Sequence, residues 1–182
     1  MYIQTEETPN PNALKFLPGE KVMPSGTMFI AKKEEASRSP MAAVLFNIPN
    51  VEAVFLGDEF ITVTKSESAR WEILKPMILT EIMDFYVTGK SMEGEAKVAA
   101  PAADESDPII KQIKELIETR VRPAVAQDGG DIIFRNFQNG VVELELHGSC
   151  SGCPSSTATL KDGIENMLKH YVPEVLSVEA VA

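Results

Sequence analysis

The sequence predicts an α+β protein made of two small α+β domains joined by a flexible linker. Short β-like segments and amphipathic helical patterns occur in both halves, and a polar stretch without a packing pattern separates them. The length of 182 residues suits one medium domain or two small ones. A hydrophobic fraction of 44% is ordinary for folded domains.

The predicted linker covers residues 89–106, GKSMEGEAKVAAPAADES, where small, polar and charged side chains dominate. Such a composition cannot bury enough apolar surface to offset the entropy lost on ordering. We therefore expect one domain over residues 1–88 and a second over residues 107–182.

Both secondary-structure types are expected in the first domain. Its predicted strands are Tyr2–Thr5, Ala13–Leu17, Thr27–Ala31, Val51–Leu56 and Phe60–Thr64, with TPNPN at 8–12 as a turn and GDE at 57–59 within a hairpin. Ser39-Pro40 predicts the start of a short helix that runs through Phe46. A longer helix from about Ser68 buries one face, and Pro76 either kinks it or marks its start. That face comprises Trp71, Leu74, Ile78, Ile82 and Phe85.

The second domain has the predicted order helix, strand, strand, cysteine loop, helix, strand. Asp107-Pro108 opens the first helix, which should end or bend near Arg122-Pro123. DGGD at 128–131 predicts a tight turn that needs glycine dihedrals. The remaining elements are strands at Ile132–Phe137 and Val141–His147 around Asn139-Gly140, a helix with Leu160, Ile164, Met167 and Leu168 on one face, and a strand at Val175–Val181.

The charge of the chain excludes several classes of partner. A net charge of −10 repels nucleic-acid phosphates and acidic membranes, so neither is expected. No apolar run approaches the ~20 residues that span a bilayer. Residues 1–12 resemble neither a secretory signal nor an Arg-rich transit peptide. The simplest compartment is a bacterial cytoplasm, with the mitochondrial matrix as the alternative for a processed organelle protein.

Both cysteines lie in the segment HGSCSGCPSS, residues 147–156, between a strand end and a helix start. A helix N-terminus favours thiolate over thiol, so Cys150 and Cys153 are expected to be reactive or metal-binding. Gly148 and Gly152 allow close backbone approach, and Pro154 suits a first helical turn.

Two thiolates are half of a four-ligand metal set. Two chains related by two-fold symmetry could complete the set at a subunit interface. The alternatives are a thioredoxin-like redox pair and a structural zinc site. A hairpin precedes the motif where a thioredoxin-like fold has a βαβ unit, which argues against the redox pair.

RPAVAQDGGDI at 122–132 and GSCSGCPSSTATL at 148–160 together resemble the C-terminal NifU-type domain of Nfu iron–sulfur proteins. IQTEETPNPNALKFLPG at 3–19 resembles the N-terminal domain of the same family. The resemblance implies a scaffold or carrier, not an enzyme, that binds a [4Fe-4S] cluster between two subunits through Cys150 and Cys153. It implies dimerisation on cluster binding, upstream assembly factors as donors, and apo iron–sulfur proteins, such as aconitase-like and lipoate-synthase-like enzymes, as recipients. The residues leave open a [2Fe-2S] form.

The two histidines are interpreted structurally. Strand alternation places Glu143, Glu145 and His147 on the face opposite the apolar residues, so His147 is expected to be exposed. His170, near the end of the last helix, suits the helix dipole.

The other polar residues near the motif also have structural interpretations. Asp128 and Asp131 fit a turn better than a metal or acid–base pair. Arg120, Arg122 and Pro123 either shape a partner surface or cap the first helix. The hydroxyls of Ser155, Ser156 and Thr157 are expected to cap the helix after the loop, since no base is placed to activate them as nucleophiles.

Overall fold

The structure, a computed structural model, describes residues 1–90, 107–152 and 154–181, with the backbone alone at 154–156. The chain divides into two compact units, Met1–Val98 and Ala99–Ala182. Each contains helices and strands, which confirms the α+β class. The predicted linker lies outside the described residues apart from Gly89 and Lys90, so its flexibility and the domain boundaries stay predictions.

The first unit contains a five-stranded antiparallel sheet of order β1-β2-β5-β4-β3. The strands are β1 Gln4–Glu7, β2 Ala13–Leu17, β3 Met28–Ile30, β4 Val51–Leu56 and β5 Ile61–Lys65. All five predicted strands are present, with shifts at the ends of β1, β3 and β5. The predicted hairpin between β4 and β5 is confirmed by their register.

The helices of the first unit cover the sheet with apolar side chains. A 3₁₀ segment, Lys33–Arg38, precedes α1, Pro40–Leu45, and the longer helix is α2, Trp71–Val87. Ser39 Oγ accepts a hydrogen bond from the Ala42 amide, which confirms the predicted N-cap. Pro76 lies inside α2 and so does not mark its start. Leu74, Ile78, Ile82 and Phe85 are buried, while Trp71 is half-buried.

Side-chain hydrogen bonds hold the TPNPN turn. Thr8 Oγ1 donates to the carbonyl oxygens of Asn10 and Ala13, both at 2.9 Å. Trp71 Nε1 donates to the Pro11 carbonyl at 3.0 Å, which fastens the turn to α2. The Lys65 ammonium donates to Asn12 Oδ1 at 3.1 Å, which fastens it to β5.

The second unit has the predicted order of elements. They are α3 Pro108–Leu116, a π-helical turn Ile117–Val121, α4 Arg122–Gln127, β6 Gly130–Gln138, β7 Val141–Gly148, α5 Pro154–Tyr171 and β8 Ser177–Val181. Asp107 Oδ1 accepts from the Ile109 amide at 2.8 Å and caps α3. Asn139 and Gly140 have φ values of 54° and 79°, as a tight hairpin turn between β6 and β7 requires.

The sequence predicts that the first helix of this unit ends or bends near Arg122-Pro123, and the helix does not end there. The helical path continues through the π-helical turn into α4. The amide of Arg122 donates to the Ile117 carbonyl, five residues back, as a π-turn requires. Pro123 lies in the first turn of α4, where a missing amide hydrogen has the least effect.

The second sheet has the order β6-β7-β8, with β6 and β7 antiparallel and β8 parallel to β7. The hydrophobic core of the second unit contains residues from each of its helices and strands named above. The most buried of them include Ile113, Val142, Leu144 and Leu168, and Cys150 belongs to the same cluster. No described helix in either unit is long and apolar enough to cross a membrane.

Candidate functional site

The cysteine loop connects the end of β7 at Gly148 to the start of α5 at Pro154. Gly148 has a φ of 67° and Gly152 a φ of 79°, in the left-handed region that favours glycine. Both glycines predicted to shape the loop therefore have conformations that other residues adopt only at a cost. Pro154 begins the helix as predicted.

Hydrogen bonds from Ser149 fasten the loop to the preceding DGGD turn. The Ser149 amide donates to the Gly129 carbonyl at 3.2 Å, and its hydroxyl donates to the Asp128 carbonyl. Ser149 itself is buried. Loop and turn are thus one hydrogen-bonded structure across the end of the β6–β7 hairpin.

The two glycines of the DGGD turn have different roles. Gly129 has a φ of 79°, which confirms the predicted need for glycine dihedrals. Gly130 is the first residue of β6, and a Cβ there would lie 2.6 Å from Cys150 Sγ and 2.7 Å from the His147 carbonyl oxygen. Position 130 therefore needs glycine because the cysteine approaches it so closely.

Cys150 is buried, with 7% of its surface exposed. Burial raises the pKa of its thiol to about 11. A hydrogen bond between the Cys150 and Ser149 side chains lowers this pKa, and the charges of Asp128 and Asp131 raise it. For Cys150 this direction is opposite to the expected preference for thiolate, and burial is its largest cause. The thiol must lose its proton when it binds a metal.

Cys153 lies outside the described residues, so the spacing of the two sulfurs stays a prediction. Among the described residues, no group of three or more His, Cys, Asp or Glu side chains could hold a metal ion.

His147 is buried, with 8% exposed, so the prediction of an exposed side chain is wrong. Its Nε2 lies 2.7 Å from Glu145 Oε1, and Glu145 also accepts a hydrogen bond from Arg135. Alternation along β7 correctly predicts that His147 shares a face of the sheet with Glu145. It does not predict that the His147 side chain on this face is buried. His147 belongs to this hydrogen-bond network of the hairpin.

Asp131 lies in β6 and not in a turn, which corrects the prediction for this residue. Arg122 binds both of its carboxylate oxygens, Nε to Oδ1 and Nη2 to Oδ2, each at 2.8 Å. Arg122 thus joins α4 to β6 and does not cap a helix. The two residues are nine apart in sequence, with no pattern that could have indicated the pair.

The remaining predicted residues have minor roles in the described geometry. The Thr157 hydroxyl donates to the Cys150 carbonyl at 3.1 Å and so ties α5 to the loop, where a helix cap was expected. The side chains of Ser155 and Ser156 lie outside the described residues. The Arg120 guanidinium lies 4.9 Å from the Tyr171 ring centre. His170 is in the last turn of α5, as predicted.

Two protein-family models match the chain. Residues 3–89 match "Scaffold protein Nfu/NifU N terminal", and residues 113–179 match "NifU-like domain". The second match contains both cysteines. The solution NMR structure of a NifU-like protein from Saccharomyces cerevisiae is 29% identical, covers 52% of this chain and 86% of its own, and has a TM-score of 0.47.

Curated relatives match across the full chain. The human protein named "NFU1 iron-sulfur cluster scaffold homolog, mitochondrial" is 50% identical over 183 residues, which is 100% of this chain and 72% of that protein. The Drosophila persimilis protein of the same name is 49% identical over 184 residues, 65% of its length. The chain thus spans about two thirds of the length of these relatives. It belongs to the Nfu/NifU family of scaffold proteins.

Proposed function

We propose that this chain binds an iron–sulfur cluster through Cys150 and Cys153 and transfers it to apo-proteins. One observation carries the proposal: the NifU-like match at 113–179 includes a Cys-x-x-Cys loop between β7 and α5. The curated relatives are named as iron–sulfur cluster scaffolds. The cluster is cargo in this proposal, so the chain is a carrier and not an enzyme.

The ligand count supports a shared cluster. A [4Fe-4S] cluster is commonly held by four cysteine thiolates, and this chain has two cysteines. We therefore propose that two chains meet at their cysteine loops when the cluster binds, giving a homodimer with two-fold symmetry. The same four thiolates would also suit a [2Fe-2S] form.

Transfer requires an exchange of thiolate ligands. In the proposed step a thiolate of the recipient replaces Cys150 as a cluster ligand, and the Cys150 thiolate that is released takes up a proton. At neutral pH the free Cys150 is a thiol, because burial raises its pKa to about 11.

The names of the relatives also bear on the compartment. Both proteins described above are named as mitochondrial. Of the two predicted compartments, this supports the mitochondrial matrix over a bacterial cytoplasm. We propose the upstream assembly factors and apo-enzymes of that compartment as donors and recipients.

Substitution of each cysteine tests the ligand assignment. After anaerobic reconstitution, Cys150→Ala and Cys153→Ala should lose the brown colour and the cluster-dependent dimer while retaining their far-UV circular dichroism. Transfer from the wild-type protein should activate an apo-enzyme that needs a [4Fe-4S] cluster. The assignment is wrong if either variant still holds a full cluster. A colourless monomer with a reversible Cys150–Cys153 disulfide would favour the redox alternative, and tightly bound zinc the structural one.

A further inference from the structure

We infer that Arg122 is a positioning residue for Cys150: through Asp131 it fixes the start of β6, where Gly130 packs against the cysteine sulfur. Arg122, Asp131, Gly130 and Cys150 all lie in the part of the chain that the structure describes. The consequence for cluster retention rests on the proposed function.

The ion pair of Arg122 and Asp131 holds both side chains in one orientation. A guanidinium bound at two points fixes the orientation of a carboxylate as well as its position. Asp131 is buried, with 3% exposed, and its Oδ1 also accepts from the Ile132 amide at 2.8 Å. A buried carboxylate needs such a partner, because leaving it unpaired is strongly unfavourable.

The π-helical turn determines where Arg122 points. The hydrogen bond from the Arg122 amide to the Ile117 carbonyl adds one residue to this turn of the helix. Every later side chain is therefore rotated around the axis relative to an uninterrupted α-helix. Glu118 Oε1 accepts from Arg122 Nη1 at 2.6 Å and holds the other side of the guanidinium.

Asp131 is connected to Cys150 through its neighbour Gly130, which packs against the cysteine sulfur. Asp131 follows Gly130 directly, and these residues pair in the sheet with His147 and Gly148 respectively. A Cβ on Gly130 would lie 2.6 Å from Cys150 Sγ, so the strand backbone forms the wall behind the sulfur. Displacing the start of β6 must therefore move that wall or open a gap behind Cys150.

The second Arg–carboxylate pair of the hairpin provides a matched control. Arg135 donates from Nε to Glu145 Oε2 at 2.5 Å. The Arg135 side chain is 33% exposed and that of Arg122 is 30% exposed. Glu145 pairs with Ile133 in the register, further along the hairpin from the cysteine loop than the Asp131–His147 pair. A purely structural role for Arg122 predicts that both pairs behave alike.

The first test uses the full-length apo chain. In a Cys153→Ser background, the rate of Cys150 alkylation by iodoacetamide is measured at constant pH for Arg122→Lys and Arg135→Lys. Lysine keeps the charge but loses the two-point contact. We expect faster alkylation of Cys150 and faster hydrogen exchange of the Ser149 amide in Arg122→Lys only. Both variants are compared at the same interval below their own melting temperatures. Equal rates in the two variants would overturn the inference.

The second test uses the reconstituted protein. Removing residues that orient a metal ligand typically costs about tenfold to a hundredfold in affinity or activity. We therefore expect Arg122→Lys to lose its cluster to a chelator roughly tenfold faster than wild type, with Arg135→Lys close to wild type. A wild-type rate in Arg122→Lys would contradict the inference.

The two tests separate the inference from the proposed function. If wild-type protein takes up no cluster, the proposed function fails, and the alkylation rates still decide the role of Arg122. If Arg122→Lys does not fold, Asp131→Asn, which keeps the side-chain volume, takes its place, and exchange of the Ser149 amide is the readout, because loss of the Asp131 charge by itself lowers the pKa of Cys150 and speeds alkylation. A wild-type exchange rate of the Ser149 amide in Asp131→Asn would then overturn the inference.

Discussion

Gly130 and Cys150 are in such close contact that a methyl group at position 130 would lie 2.6 Å from the Cys150 Sγ. The same methyl group would lie 2.7 Å from the carbonyl oxygen of His147. That oxygen is backbone in a paired strand and cannot swing aside. The cysteine loop thus depends on the absence of a side chain at one position of β6.

Gly130→Ala is therefore expected to destabilise the second unit. Inserting a methyl group into such packing costs about 1–3 kcal/mol, because the strand or the cysteine must move. Calorimetric unfolding of the full chain should show a lowered transition for one unit. Cys150 should also become more reactive to alkylation.

Gly163→Ala, in α5, is the matched control. A Cβ at position 163 meets nothing within 4 Å, and alanine favours a helix by roughly 0.5–1 kcal/mol relative to glycine. The control should be neutral or stabilising. Equal stability of Gly130→Ala and wild type would mean that the contact is not as tight as described.

Asn12→Ala is expected to destabilise the first unit by about 1–2 kcal/mol. It removes one of two acceptors of the Lys65 ammonium, Asn12 Oδ1 at 3.1 Å, and leaves the Ser66 carbonyl oxygen at 3.3 Å. Lys65 is only 7% exposed. Trp71, the single tryptophan of the chain, bonds to the neighbouring Pro11 carbonyl. Tryptophan fluorescence during urea unfolding therefore reports the stability of the first unit next to the substituted turn.

Asn166→Ala, at an exposed position of α5, makes the same substitution away from the TPNPN turn. It should shift the tryptophan transition by less than about 0.5 kcal/mol. If both variants shift it equally, the Lys65–Asn12 bond does not stabilise the turn.

Glu145→Gln should change how stability depends on pH. Burial raises the pKa of Glu145, but hydrogen bonds from His147 and Arg135 outweigh burial and lower it below its ordinary 4.5. A carboxylate with a lowered pKa stabilises the fold above its unfolded-state pKa and loses that effect as pH falls through its folded-state pKa. The variant should therefore be less stable than wild type at pH 7, and the difference should vanish at acid pH.

Unfolding measured across a pH series from neutral to below 4.5 tests this expectation. Glu143→Gln, on the same strand, removes an equal charge and serves as the control. A difference between Glu145→Gln and wild type that stayed constant, or grew, as pH fell would contradict the assigned direction of the pKa.

Local chemistry made much of the fold predictable. Ser39-Pro40 and Asp107-Pro108 each begin a helix with the expected side-chain cap. Asn139-Gly140 forms the expected hairpin turn because both residues tolerate positive φ. These features depend on residues within a few positions of each other, so the sequence contains their full cause.

The parts that could not be predicted depend on residues brought together by tertiary structure. The Arg122–Asp131 pair requires a π-helical turn, for which the sequence had no recognised signal. His147 is buried because of what covers its face of the sheet, and alternation along one strand cannot show that. The raised pKa of Cys150 has the same origin, since its largest cause is burial.

The central claim is that two chains share one cluster through Cys150 and Cys153. Iron and acid-labile sulfide counted per chain after anaerobic reconstitution, together with mass from analytical ultracentrifugation, test it most directly. One four-iron cluster per dimer predicts about two irons and two sulfides per chain, and a doubled mass. Four irons on a monomer, or a monomer without iron, would contradict the claim.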